Sequence, residues 1–136
     1  MALKIELKPG EKFVVNGAVI MAGKTGASLV LKNRATLLRD RDIMQEHEAK
    51  TPARRIYFTL MLMYIDPENS AIYRERFRTF FEDFRSITRR KSTLDILKKI
   101  EEHEASGNLY MAMKACKSLI AVEDELLKYN AKEKQK

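Results

Sequence analysis

The sequence predicts an α+β fold: a small N-terminal antiparallel β sheet followed by a C-terminal bundle of about four helices, all within one domain spanning 1–136. Three observations predict it. Four of the five glycines precede residue 27, in a half rich in β-branched residues, as tight turns between strands require. After residue 51 come long charged runs with apolar residues at helical spacing. Between the halves lies Thr51 to Pro67, whose segment Ile56 to Ile65 has only Thr59 and two tyrosine hydroxyls as polar side chains. The boundaries expected are a β subdomain over 1–50, a helical subdomain over 51–129 and a frayed basic tail over 130–136.

Leu3, Ile5 and Leu7 alternate with Lys4, Glu6 and Lys8, the period of a half-buried strand. Pro9-Gly10 turns the chain. Phe13 to Val15 and Ala18 to Met21 read as strands joined by Asn16-Gly17, the dipeptide best suited to a two-residue hairpin. After a turn at Gly23 to Gly26, Ser28 to Leu31 and Thr36 to Leu38 form two more strands about Asn33-Arg34. The whole is expected to be one small curled sheet. Arg39 to Glu48 is polar and reads as a connection with one helical turn.

Thr51 can cap a helix whose first position is Pro52, where the missing N–H would have had no intrahelical partner. An apolar run without a polar face is a buried helix, and about ten residues are too few for a bilayer, which needs roughly 20. A strand is the rival reading of so short a run. Asp66-Pro67 repeats the start signal for a long helix to about Arg90. Ser92 with Asp95 resembles a capping box. Gly107 is a natural helix stop, and Asn108 starts the last helix. Its apolar side carries Leu109, Met113, Cys116, Ile120 and Leu127.

With 136 residues the chain can bury a core without staples, and the single Cys116 reads as a small core hydrophobe in a reducing cytoplasm. The N-terminus has no unbroken apolar segment of signal-peptide type. No membrane span, cofactor or metal site is expected, since two histidines and one cysteine lack zinc-ligand spacing. Gly23-Lys24-Thr25 looks like the end of a phosphate loop, but Gly17 to Gly23 leaves one residue too many and a strand follows instead of a helix. No nucleophile elbow, zinc-protease helix or dinucleotide fingerprint appears, and no histidine pair supports a ribonuclease. The expectation is a protein that is not an enzyme.

The formal charge of +7 favours anionic partners, and its excess lies in the first two thirds of the chain. From Thr51 to Ser92 every basic residue but Lys91 is arginine, whose planar fork suits phosphate and carboxylate alike. At about 100° per residue, Tyr73, Phe77, Phe80, Phe84 and Ile87 form the core stripe of the long helix. Arg74, Arg78, Arg85 and Arg89 fall within another sector of roughly 60°, with Phe81 at its edge. One reading of that arrangement is a base-stacking platform beside a phosphate stripe. Its rival is a set of solvated helix pairs, such as Arg78 with Glu82, over a Phe81 covered by a neighbour. Arg54 and Arg55 oppose the dipole of the helix they begin, so either a carboxylate such as Asp40 or Asp42, or a bound phosphate, should hold them.

The segments Leu7 to Ala18, Asn33 to Ala35, Arg41 to Met44 and above all Thr51 to Phe58, with Met63-Tyr64 and Asp66-Pro67, closely resemble the FlbT family of bacterial flagellum-biosynthesis regulators. The resemblance runs from about Leu3 to Val122. It implies a cytoplasmic regulator that associates with the 5′ untranslated region of flagellin mRNA, represses it and promotes its decay, beside a small partner, FlaF. Some members are associated with activation. The alternative is a protein-interaction module that docks FlaF or flagellin and touches the mRNA only indirectly. A homo-oligomer is expected, held by apolar surface that so small a sheet leaves over. The resemblance supplies no residue-level RNA site, so Arg54, Arg55, Arg74, Arg78, Phe81, Arg85 and Arg89 are candidates on charge and aromatic pattern alone.

Overall fold

The computed structural model describes residues 2–134. Five strands precede four helices: β1 (Leu3–Leu7), β2 (Lys12–Val15), β3 (Ala18–Met21), β4 (Ala27–Leu31), β5 (Leu37–Arg39), then α1 (Pro52–Ile65), α2 (Ser70–Ile87), α3 (Lys91–Ala105) and α4 (Leu109–Lys134). The chain divides into two compact units: residues 1–43 with 65–67, and residues 44–64 with 68–136.

In the first unit the strands form two antiparallel sheets where the sequence suggested one. β1 pairs with β4, and β2 lies between β3 and β5. β4 and β5 therefore do not make a hairpin about Asn33-Arg34. Ile5 stands opposite Leu29 and Leu7 opposite Ala27, so the period-two alternation of β1 meets a matching face of β4. These side chains share a core with Phe13 and Ala22, against which Val15 and Leu37 also pack. Val14 and Leu38, paired on the other face of β2 and β5, are buried as well. Asn16 and Gly17 both take positive φ, 49° and 82°, the signature of a type I′ turn whose twist matches that of the strands. Gly23 to Gly26 closes a plain turn, Gly26 N–H donating to the Gly23 carbonyl at 3.1 Å.

In the second unit α1 is a helix, which excludes the strand reading. Ala53, Ile56, Tyr57, Leu60, Met61 and Met63 are buried along it, and buried Thr59 satisfies its hydroxyl by donating to the Ile56 carbonyl at 2.8 Å. Pro67–Asn69 form a 3₁₀ turn, so α2 starts at Ser70. α2 ends at Ile87, three residues short of Arg90. The Ser92–Asp95 capping box does not form, because the N-cap is Arg90, two residues before Ser92, and its carbonyl accepts the Leu94 N–H.

Gly107 stops α3 as its sequence suggests. It adopts φ of 80°, its N–H donates to the Glu104 carbonyl, and the Asn108 N–H donates to the His103 carbonyl, which together make a Schellman motif. Asn108 then caps α4 by accepting the Met111 N–H at 3.3 Å. α4 runs to Lys134, past Tyr129, because once a helix is nucleated, residues such as Ala, Lys and Glu extend it at little cost. Residues 135 and 136 of the expected tail lie outside the described residues. No helix among the described residues is long and apolar enough to cross a membrane.

Candidate nucleic-acid interface

The core stripe of α2 is Phe77, Phe81 and Phe84, spaced i, i+4, i+7. This corrects the sequence reading by one position. Phe81 is only 1% exposed and tilts against Phe77 at 5.5 Å between ring centroids, so it offers no face to a base. Phe80 is instead half-buried, and Ile87, assigned to the core, is 73% exposed. The period of a helix permits either phenylalanine to point inward, and packing of the second unit selects Phe81.

The arginine stripe of α2 is committed to protein carboxylates. Arg74 Nε donates to Glu104 Oε1 at 3.0 Å, and Arg78 lies 3.9 Å from Glu104 Oε2. Glu104 is a buried carboxylate of α3, and its Oε2 has no hydrogen-bond donor, so these two cations compensate its charge. Arg85 pairs with Glu82 at 2.6 Å and lies 3.6 Å from Glu101, with its guanidinium 5.8 Å from the Phe81 ring centroid. Arg89 falls after the end of α2 and is not part of a stripe on that helix.

Arg54 is held by carboxylates, though not by Asp40 or Asp42. It makes a fork to both oxygens of Asp124, at 2.8 and 3.1 Å, and lies 3.5 Å from Glu123. The hydrogen bonding that Arg54 donates to Asp124 is the main cause that raises the Arg54 pKa above its usual value, and the same interaction lowers that of Asp124. Asp40 instead accepts the Lys12 N–H at 2.7 Å.

Arg55 is different. Its guanidinium has no hydrogen-bond or ion-pair partner among the described residues, and the same is true of Arg76. Both line one cleft of about 290 Å³, together with Phe58, Leu62, Phe80 and Glu46. Helix geometry builds it: Arg55, Phe58, Thr59 and Leu62 stand at i, i+3, i+4 and i+7 on α1, while Arg76 and Phe80 stand at i and i+4 on α2. Its lining combines apolar and aromatic side chains with both free cations, and Glu46 is the one carboxylate among the residues that line it. A flat aromatic ligand bearing an anion suits this set, with the ring against phenylalanine and the anion on guanidinium.

Of the candidates read from sequence, only Arg55 belongs to this cleft. Phe58, Arg76 and Phe80 were missed. Their cation–aromatic spacings, Arg55 with Phe58 at i, i+3 and Arg76 with Phe80 at i, i+4, carry no distinguishing signal, because Arg74 with Phe77 and Arg78 with Phe81 share the spacing and those phenylalanines are buried in the core.

Residues 3–127 match the model of the family described as flagellar protein FlbT. The chain belongs to the FlbT family. Among similar proteins, a probable flagellum biosynthesis repressor protein FlbT of Caulobacter sp. strain K31 is 45% identical over 127 residues, covering 93% of this chain and 97% of that one. The flagellum biosynthesis repressor protein FlbT of Caulobacter vibrioides strain ATCC 19089 is 42% identical, over 93% and 90% of the two chains. A Bradyrhizobium diazoefficiens FlbT named as a probable repressor is 37% identical, over 93% and 85%. No solved structure matches. The FlbT match takes in both compact units, and every residue of the Arg55–Arg76 cleft lies inside it.

Proposed function

We propose that this chain regulates flagellar synthesis as a post-transcriptional repressor in the cytoplasm, binding the 5′ untranslated region of flagellin mRNA and promoting its decay. The repressor names of its relatives support the regulatory part. The observation that carries the RNA part is the pair of unpartnered guanidiniums, Arg55 and Arg76, beside half-buried Phe58 and Phe80. Single-stranded RNA is recognised through such combinations, because every base has a face to stack and every nucleotide a phosphate to neutralise.

The second reading, a module that docks FlaF or flagellin, draws on the larger cleft of about 560 Å³ lined by Arg90, Val122, Glu125, Leu126 and Tyr129. Its exposed apolar residues of α4 fit a partner helix. Purified protein without partners should retard the leader RNA in a gel and prefer it to a scrambled RNA of equal length. Failure of the pure protein to bind, with binding restored by FlaF, would replace the RNA reading with the second one.

A further inference from the structure

β3 is the edge of its sheet, and apart from its short length of four residues it carries no chemical guard against pairing. Charged side chains, proline and bulges normally stop a free strand from pairing with another chain. Here Ala18–Met21 is Ala-Val-Ile-Met, every residue is exposed, and Val19 and Met21 reach 67% and 65% exposure. The strand lies inside Phe13 to Gly23, the longest uncharged run of a chain of net charge +7.

The backbone on this edge is oriented for pairing. Ala22 N–H donates to the Glu11 carbonyl at 2.9 Å, on the β2 side. Antiparallel ladders alternate with a period of two, so Ala18 and Ile20 also direct their amides toward β2, while Val19 and Met21 direct theirs outward. Among the described residues no strand lies on that outer side.

We propose that β3 pairs antiparallel with β3 of a second copy of this chain, about a two-fold axis at Ile20. In that register Val19 faces Met21 of the second copy and Met21 faces its Val19. Each outward N–H then meets an outward carbonyl, and the interface closes on itself as a two-fold contact must. Val19 and Met21 of both copies gather on one face, the favourable apolar cross-strand arrangement. Charge selects this occupant. The first charged residue beyond the strand, Lys24, falls opposite Asn16 of the second copy, so two strongly basic chains meet without opposing like charges. An acidic peptide would find no cation on β3 itself to recognise.

Sedimentation at micromolar concentration should show a dimer for the parent and a monomer for the Val19→Lys/Met21→Lys variant. Both positions are exposed, so the variant should melt as the parent monomer does. Amide hydrogen exchange provides the second measurement: protection at Val19 and Met21 should rise with protein concentration, while Ile20 stays protected at every concentration. A parent that remains monomeric overturns the proposal. So does a dimer in which the Val19 and Met21 amides exchange freely, because such a dimer forms elsewhere. A dimer would carry two Arg55–Arg76 clefts, and the β3 variant should then bind leader RNA more weakly through lost avidity alone.

Discussion

Glu123 of α4 accepts the backbone N–H of Ala53, at the second position of α1, across 2.8 Å and seventy residues of sequence. The first turn of α1 from Pro52 to Arg55 is thereby accounted for. Pro52 has no N–H to satisfy, Ala53 donates to Glu123, Arg54 N–H donates to Thr51 Oγ1 at 3.3 Å, and Arg55 N–H makes the first intrahelical bond to the Thr51 carbonyl. The negative charge also lies where the helix dipole favours it.

Removing that carboxylate should therefore act as loss of a buried cap. Glu123→Ala is expected to lower stability by about 1–2 kcal/mol, the upper part of the range for capping residues. Glu123→Gln keeps an acceptor and should cost less. Urea denaturation of the three proteins checks the order, and an alanine variant as stable as the parent would show that water replaces the cap.

The Arg74–Glu104–Arg78 cluster should be asymmetric to mutation. Glu104 is buried, whereas the side chains of Arg74 and Arg78 are 48% and 51% exposed. Glu104→Leu leaves two arginines that water can solvate, at an expected cost of about 1 kcal/mol or less. Arg74→Met with Arg78→Met strands a buried carboxylate, and the loss should approach the ~3–5 kcal/mol of a broken buried pair. Equal losses in thermal melts would contradict the asymmetry.

The fork between Arg54 and Asp124 predicts a pH dependence. Its hydrogen bond holds the Asp124 carboxyl below the ordinary aspartate range, so between the two values the unfolded chain binds the extra proton. The pair's contribution is thus present above the ordinary value of about 4 and is lost as pH falls through the lower folded value. Asp124→Asn should lower the melting temperature slightly at neutral pH, since Asp124 is partly exposed, and the gap to the parent should narrow in acid. A gap that widens in acid would place the effect elsewhere.

What could be read in the sequence was local. Asn16-Gly17, Thr51-Pro52, Gly107 and Asn108 act through their own dihedral angles or a donor a few residues away, and each appears where its chemistry puts it. Non-local pairing was not legible. The partner of Arg54 lies seventy residues away on α4, and nothing near Arg54 distinguishes Asp124 from Asp40. β1 reaches past two strands to β4, so that pairing comes from matched apolar faces in space, which linear spacing does not encode. The exchange of Phe80 for Phe81 is the costliest case: adjacent identical residues carry no signal of which faces inward, and the candidate site moved with them.

The cleft can be tested by separating its charge from its stacking. Each phosphate neutralised on single-stranded RNA releases counterions and contributes about −0.7 to the slope of log affinity against log salt. Arg55→Ala and Arg76→Ala should each weaken leader-RNA binding and make that slope shallower by about 0.7. Phe80→Ala should cost roughly 1–3 kcal/mol per lost stack and leave the slope unchanged. Arg85→Ala is the internal control, because its cation is engaged by Glu82 and Glu101, and its affinity and slope should match the parent. Fluorescence anisotropy at several salt concentrations measures both quantities. If Arg85→Ala flattens the slope while Arg55→Ala and Arg76→Ala do not, RNA follows the outer face of α2 and the cleft is not its site.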